Sequence, residues 1–168
     1  HMTTTLADGT IIAYERDVTG TVVSRTVTPV SGPAEEIRYS GGGGISFVLD
    51  DASEVLQATL SLPGGVSVAI RADTTELWSY PDLRGDLVVT TDEDGVRIGD
   101  RYRYDPFGQP IDPTTGHIGT TDADEALPDN LPGEADLGMV GQFGKLTEHH
   151  GAVLAIEMGV RVYVPALG

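Results

Sequence analysis

Short apolar runs, each closed by turn-forming residues, recur along most of the chain. Residues 11–15 end at Asp17-Val18-Thr19-Gly20, and residues 21–28, 36–40, 45–49 and 54–62 follow. Pro63-Gly64-Gly65 turns the chain into residues 66–70, and 76–80, 87–91, 96–98 and 101–104 continue the series. Runs of this length, rich in Val, Ile, Thr and Tyr and bounded by Gly, Pro and Asp, predict strands. Their regular spacing predicts an all-β protein. Residues 152–158 alone suit a short helix, tightly bracketed by Gly151 and Gly159.

One stretch breaks the rhythm. Residues 112–136 read DPTTGHIGTTDADEALPDNLPGEAD, with seven acids, three prolines and neither Lys nor Arg. Such a composition predicts a solvated surface loop. It also suits a boundary between a β region before it and a C-terminal cap after it. The opening His1-Met2 resembles a remnant of an expression tag and is set aside. The expected organisation is therefore 1–2 tag remnant, 3–111 repetitive β region, 112–136 acidic loop and 137–168 C-terminal segment.

An internal repeat is the strongest feature. Tyr14-x-x-Asp17-x-x-Gly20-x-Val22 recurs as Phe47-x-x-Asp50-x-x-Ser53-x-Val55, and more weakly as Val89-x-x-Asp92-x-x-Gly95. Tyr102-Arg103-Tyr104-Asp105-Pro106-Phe107-Gly108 is the fullest copy. Hairpin physics accounts for the pattern. The aromatic packs across the sheet, the Asp carboxylate receives backbone N–H groups just beyond it, and Gly takes a positive φ. Asp105-Pro106-Phe107-Gly108 also fits a type I turn.

This Tyr–Asp hairpin pattern resembles the YD repeat of Rhs proteins, teneurins and insecticidal toxin-complex components. The stretch Glu157-Met158-Gly159-Val160-Arg161-Val162-Tyr163-Val164-Pro165-Ala166-Leu167-Gly168, preceded by Gly141-Gln142, resembles the Rhs-associated core and its G-x-R-x-Y-x-P-x-L-G run. Asp82-Leu83-Arg84-Gly85-Asp86 is similar to the D-L-x-G-D stretch before a final YD repeat. The chain departs from that pattern at Tyr163-Val164-Pro165, which lacks an acidic residue, and at Gly151-Ala152-Val153-Leu154, which replaces a Gly-Leu-Tyr-Tyr stretch. It also ends at Gly168, before the Arg-Phe-x-x-x-Asp-Pro segment and the self-cleavage boundary of that family, as an excised piece of a longer protein would.

The resemblance implies stacked YD hairpins in a spiral β-sheet, a fragment of a shell that encloses or delivers a C-terminal toxin domain. The implied partners are the rest of that shell and its cargo, and the implied location is secreted or cell-surface. The motif residues are then structural: Tyr14, Asp17, Gly20, Phe47, Asp50, Tyr102, Tyr104, Asp105 and Gly108 in the repeats, and Gly159, Arg161, Tyr163, Pro165, Leu167 and Gly168 in the core run. A cell-surface adhesive or carbohydrate-binding β module is the alternative.

Composition narrows the chemistry. The 168 residues carry 26 acids against 10 bases, a net charge of -16, which disfavours nucleic acid because phosphate binding needs clustered Lys and Arg. No apolar run approaches the roughly 20 residues that span a bilayer. The absence of cysteine removes disulfides, thiolate metal sites and thiol nucleophiles. Asp92-Glu93-Asp94-Gly95 and Asp122-Ala123-Asp124-Glu125 cluster carboxylates without completing a calcium loop. His149 and His150 are adjacent, so on a strand they face opposite ways, and His117 stands alone. There is no Gly-x-Ser-x-Gly elbow, and Gly41-Gly42-Gly43-Gly44 lacks the Lys-Thr of a phosphate loop. The expectation is a chain without catalytic residues, metal or cofactor. Its last strand, 160–164, would leave Val160, Val162 and Val164 on an uncovered face and pair copies into a homodimer.

Overall fold

The structure, a computed structural model, describes residues 2–150, 154–159 and 161–167. Ten strands form one antiparallel sheet in strict chain order. They are β1 (Met2–Thr5), β2 (Ile11–Arg16), β3 (Val22–Thr28), β4 (Glu35–Gly42), β5 (Ile45–Leu49), β6 (Val55–Ser61), β7 (Ser67–Arg71), β8 (Glu76–Pro81), β9 (Leu87–Thr91) and β10 (Arg97–Ile98). A second antiparallel sheet, also in chain order, holds β11 (Ala135–Leu137), β12 (Leu146–Glu148), β13 (Ala155–Glu157) and β14 (Val162–Tyr163). A single helical turn, α1 (Thr121–Asp124), lies between the sheets in sequence. The fold is all-β, and the large sheet stays open, ending at β1 and β10.

One turn geometry builds most of the large sheet. In each copy the first residue donates its N–H to the carbonyl four residues on, and the fourth donates back to the first. Eight turns among the described residues share this pair, starting at Leu6, Asp17, Asp50, Leu62, Arg71, Asp82, Asp92 and Asp105. The fourth residue has positive φ every time, including the two non-glycines Ser53 (68°) and Thr74 (71°). In seven of them this is a type I turn followed by a left-handed residue, which matches the twist of the flanking strands; in the turn from Leu62, Gly64 also has positive φ (83°), so Pro63-Gly64 form a type II turn. The hairpin between β4 and β5 differs. Gly43 and Gly44 have φ of 66° and 87°, both positive as a two-residue type I′ turn requires, so the glycine run is an ordered hairpin loop.

Cross-strand register decides what faces inward, because directly paired residues share a face. Tyr14 pairs with Arg25 and Arg25 with Ile37; in the next row Tyr39, Val48, Gln57 and Arg71 follow one another across β4 to β7. This face is covered by the C-terminal part of the chain. Ile12, Tyr14, Val22, Val27 and Val48 form a core with Leu131 and Leu146 from the cover. Ile11, Ile45 and Ile70 alternate to the opposite face, which is exposed.

Several expectations need correction. The stretch 112–136 is solvated only in part: residues 114–119 are exposed, whereas Asp112, Ala123, Leu127, Pro128, Asn130, Leu131, Ala135 and Asp136 are buried. Two of its carboxylates, Asp112 and Asp136, accept backbone N–H groups. Residues 101–104 form no strand; Tyr104 makes one isolated bridge to Pro110, which lacks the N–H a ladder needs. The helix expected over 152–158 is instead strand β13, held between β12 and β14; Gly151, Ala152 and Val153 lie outside the described residues. Met2 belongs to β1 and pairs with Tyr14, so it is part of the fold.

Candidate functional site

The seam between the two sheets concentrates the buried charge of the molecule. Arg25, on the inward face of β3, grips Glu148 of β12 bidentately, Nε to Oε2 at 2.7 Å and Nη2 to Oε1 at 2.8 Å. Both side chains are buried, at 4% and 3% exposure. The Tyr14 hydroxyl donates to Glu148 as well. Burial and the Glu148 charge push the Tyr14 hydroxyl far above the ordinary tyrosine range. Burial works against the charged form of Arg25, but the Glu148 hydrogen bonds outweigh it and keep the guanidinium protonated. Beside this cluster Arg16 pairs with buried Glu157 of β13. Two ion pairs thus join β2 and β3 to β12 and β13.

A second set of contacts shapes the cover itself. Asp136 Oδ1 accepts from the N–H groups of Asn130 and Leu131, both at 2.7 Å, and its Oδ2 lies 2.7 Å from His149 Nε2. Burial pushes the Asp136 carboxyl up, opposed by His149 and those two N–H groups. Gln57 Nε2 reaches the Asn130 carbonyl at 2.9 Å, so the cover lies across the middle of the large sheet.

The third docking point is the turn 82–86. Asp86, almost fully buried, accepts from Val140 N–H at 2.8 Å and pairs with Arg84 at 2.7 Å. Leu87 donates to Gly138 O and Gln142 to Gly85 O, both at 3.0 Å. Val140 sits at φ 49°, a left-handed conformation that is strained for a β-branched residue. The docking contacts to Asp86 and Gly85 hold that strain in place.

The repeat aspartates are placed apart, each in its own turn. Asp17 Oδ1 accepts from Thr19 and Thr21 N–H at 2.8 and 2.9 Å, and Asp105 Oδ1 from Phe107 and Gln109 at 2.8 and 2.9 Å. Asp50 Oδ1 accepts from Glu54, Asp92 Oδ1 from Asp94 and Val96. The Thr19 hydroxyl and the Thr21 N–H hold the Asp17 carboxyl below the usual range, and Thr75 does the same for Asp73. Gly20 and Gly108 take φ of 85° and 92°. The aromatics diverge: Tyr14, Tyr102 and Tyr104 are buried, whereas Phe47 is 37% exposed.

In the C-terminal run, the Tyr163 hydroxyl donates to Phe107 O at 2.8 Å, joining the run to the fullest repeat turn. Pro165 is buried, Gly159 has φ 91°, Arg161 makes no side-chain hydrogen bond among the described residues but its carbonyl receives Met158 N–H, and Leu167 is 83% exposed. Gly168 and Val160 lie outside the described residues. Val162 does not join an uncovered face; it is half-buried and lines a small cavity with Thr4, Ile12 and Tyr14. Val164 is 37% exposed. His149 and His150 meet separate carboxylates, Asp136 and Glu134, and no three His, Asp or Glu side chains gather as a metal site among the described residues.

Arg25, Glu148 and Asp136 were not singled out from the sequence, and Asp86 stood there only as the last residue of the D-L-x-G-D stretch. For Arg25 a signal existed: once Tyr14 is placed inward, the hairpin register puts a charged residue opposite it. No described helix is long and apolar enough to cross a membrane.

No family model and no curated protein matches the sequence. Among solved structures, a chain in the crystal structure of TcdB2-TccC3-Cdc42 is similar, with a TM-score of 0.54 and 14% identity. The match covers 97% of this chain and 8% of that one, so the protein corresponds to a small part of that chain. At this identity the likeness is one of fold.

Proposed function

We propose that this chain is a structural segment of a YD-repeat β-shell, in which it forms part of the wall around a toxin domain carried or released by a longer protein. One observation carries the reading. The same hydrogen-bonded turn closes hairpin after hairpin in an open sheet that grows strand by strand without a crossover. Such a sheet buries its surface on neighbouring repeats and leaves its two ends available for further strands. The fold likeness to the TcdB2-TccC3-Cdc42 chain, which extends over nearly the whole of this one, supports it. In this reading the C-terminal cover lines one side of the wall, and a secreted or surface location follows from the delivery role.

The segment has no chemistry of its own in this reading, since the repeat carboxylates are occupied by the backbone of their own turns. The purified chain should keep its intact mass between about pH 4 and 8, where carboxyl groups could act as acid or base. Fragmentation at one bond, abolished by a single Asp→Asn change, would overturn that part. The shell role is tested in the parent protein. Replacing this segment by a flexible linker of equal length should expose the C-terminal domain to added protease. Unchanged protection would contradict a role in the wall. Copies of the isolated chain should also associate through the free edges at β1 and β10, in a concentration-dependent manner by sedimentation velocity.

A further inference from the structure

A cleft of about 550 Å³ opens between the turn 17–21, the hairpin of β4 and β5, and the segment that precedes β12. Its size falls within the range of small-molecule sites, about 300–1,000 Å³. Three features make its lining unlike the rest of the surface. The first is Lys145, the one lysine in a chain of net charge -16. Lys145 makes no ion pair or side-chain hydrogen bond with the described residues, whereas Arg16, the other cation that lines the cleft, is held by Glu157. The second is Tyr39, whose hydroxyl is buried without a hydrogen-bond partner. A buried hydroxyl left unpaired costs about 1–3 kcal/mol, so an incoming acceptor or donor would be favoured there. The third is apolar lining, with Val48 and Leu131 inside and Phe143 at the mouth, 62% exposed.

We propose that this cleft binds a carboxylate carried on an apolar body, with the carboxylate on Lys145 and the body against Val48 and Leu131. The charge argument decides the sign. Among the described residues that line the cleft, Lys145 is the one cation without a carboxylate partner: Arg16 is engaged by Glu157, and the Asp17 carboxylate is engaged by the N–H groups of its own turn. A single ammonium favours a monoanion over a polyanion such as nucleic acid, which needs clustered cations. An apolar lining favours a compact hydrocarbon or aromatic body over a sugar. Tyr39 would supply a hydrogen bond at the inner end. The proposal goes beyond the shell reading and does not depend on it.

The same chemistry can come from a free small acid or from the C-terminus of a peptide. The test titrates the isotope-labelled full chain with 4-phenylbutyrate and with acetyl-Gly-Gly-Phe, each beside its neutral amide, while following the backbone amides of Gly20, Gly41 and Gly144, which line the cleft. The expected result is saturable shifts at these amides with at least one acid, and binding about tenfold weaker for its amide, as for loss of one charge-assisted hydrogen bond. Lys145→Gln should weaken the acid to the level of the amide. Tyr39→Phe should weaken acid and amide alike. Binding of the small acid alone or the peptide alone assigns the source. Absence of shifts with both acids, equal affinity of acid and amide, or full affinity in Lys145→Gln would each overturn the proposal. The amide comparison needs no variant, so it stands even if a substitution disturbs folding.

Discussion

The large sheet and its C-terminal cover follow different rules. In the sheet, strands of five to eight residues are the norm, from Ile45–Leu49 to Glu35–Gly42, and each is fixed by its neighbour and a local turn. In the cover, strands are two or three residues long and form no regular alternation. Order there comes from buried polar groups reaching across long sequence separations, above all Arg25–Glu148, Arg16–Glu157 and Asp86–Val140. The sheet is a product of local instruction; the cover is a product of tertiary contact. The cover should therefore be sensitive to single polar changes that the sheet would absorb.

The largest effect is expected at Glu148. Glu148→Ala strands the Arg25 guanidinium and the Tyr14 hydroxyl in the core, and removing one member of a buried pair costs about 3–5 kcal/mol. Urea unfolding should show a loss of that order. The triple variant Tyr14→Phe, Arg25→Met and Glu148→Leu, which removes the buried hydroxyl along with the ion pair, should recover most of it, since well-packed apolar replacements of a buried pair are close to neutral. A wild-type midpoint in Glu148→Ala would remove the charged seam from the account.

Glycine substitutions separate the turn from the dock. Gly85 and Gly95 occupy the same turn position with φ of 88° and 76°. A Cβ on Gly95 meets nothing within 4 Å, so Gly95→Ala should cost the left-handed strain alone, about 1–2 kcal/mol. On Gly85 it would lie 2.5 Å from the Phe143 ring, so Gly85→Ala should cost more and loosen the cover as well. Equal losses would mean that the cover does not lean on this turn. In the opposite direction, Val140→Asn replaces a strained left-handed valine by a residue that tolerates the conformation. It should raise stability by up to about 1 kcal/mol in thermal unfolding, and a loss would show that the valine side chain matters more than its backbone.

Acid titration gives the smallest contrast. Asp17 and Asp73 in the sheet turns, and Asp112 after them, have carboxyls held below their ordinary value by hydrogen bonds. Their contribution is present above an unfolded value of about 3.8 and is lost as the pH falls below it. Asp136 in the cover is raised by burial and runs the other way: the native state favours its protonated form, so its penalty is relieved on acidification. Melting temperature should fall below about pH 4, with Asp17→Asn flattening the fall and Asp136→Asn steepening it. Identical pH profiles in all three proteins would show that these groups do not set the acid limit.

The same division governs what the sequence revealed. Strands 45–49 and 87–91 were legible to the residue, because Gly44, Asp50, Asp86 and Asp92 punctuate them. The repeat led to the turn carboxylates, although it missed Asp82, whose turn has the same hydrogen bonds but no aromatic three residues before it. The cover was opaque. Composition counted the acids of 112–136 but could not tell that Asp112 and Asp136 cap backbone N–H groups indoors. β13 looked helical because a three-residue strand carries no period, and its partners lie on either side in space.

Hydrogen exchange tests the division most directly. If buried charge welds the cover to the first strands, the amides of β11, β12 and β13 should open together with those of β2 and β3, as one cooperative unit. In Glu148→Gln the cover should exchange faster while β7 to β9 keep wild-type protection. A cover that already exchanges independently of β2 and β3 in the unmodified chain, or one whose protection is unchanged in the variant, would contradict the account.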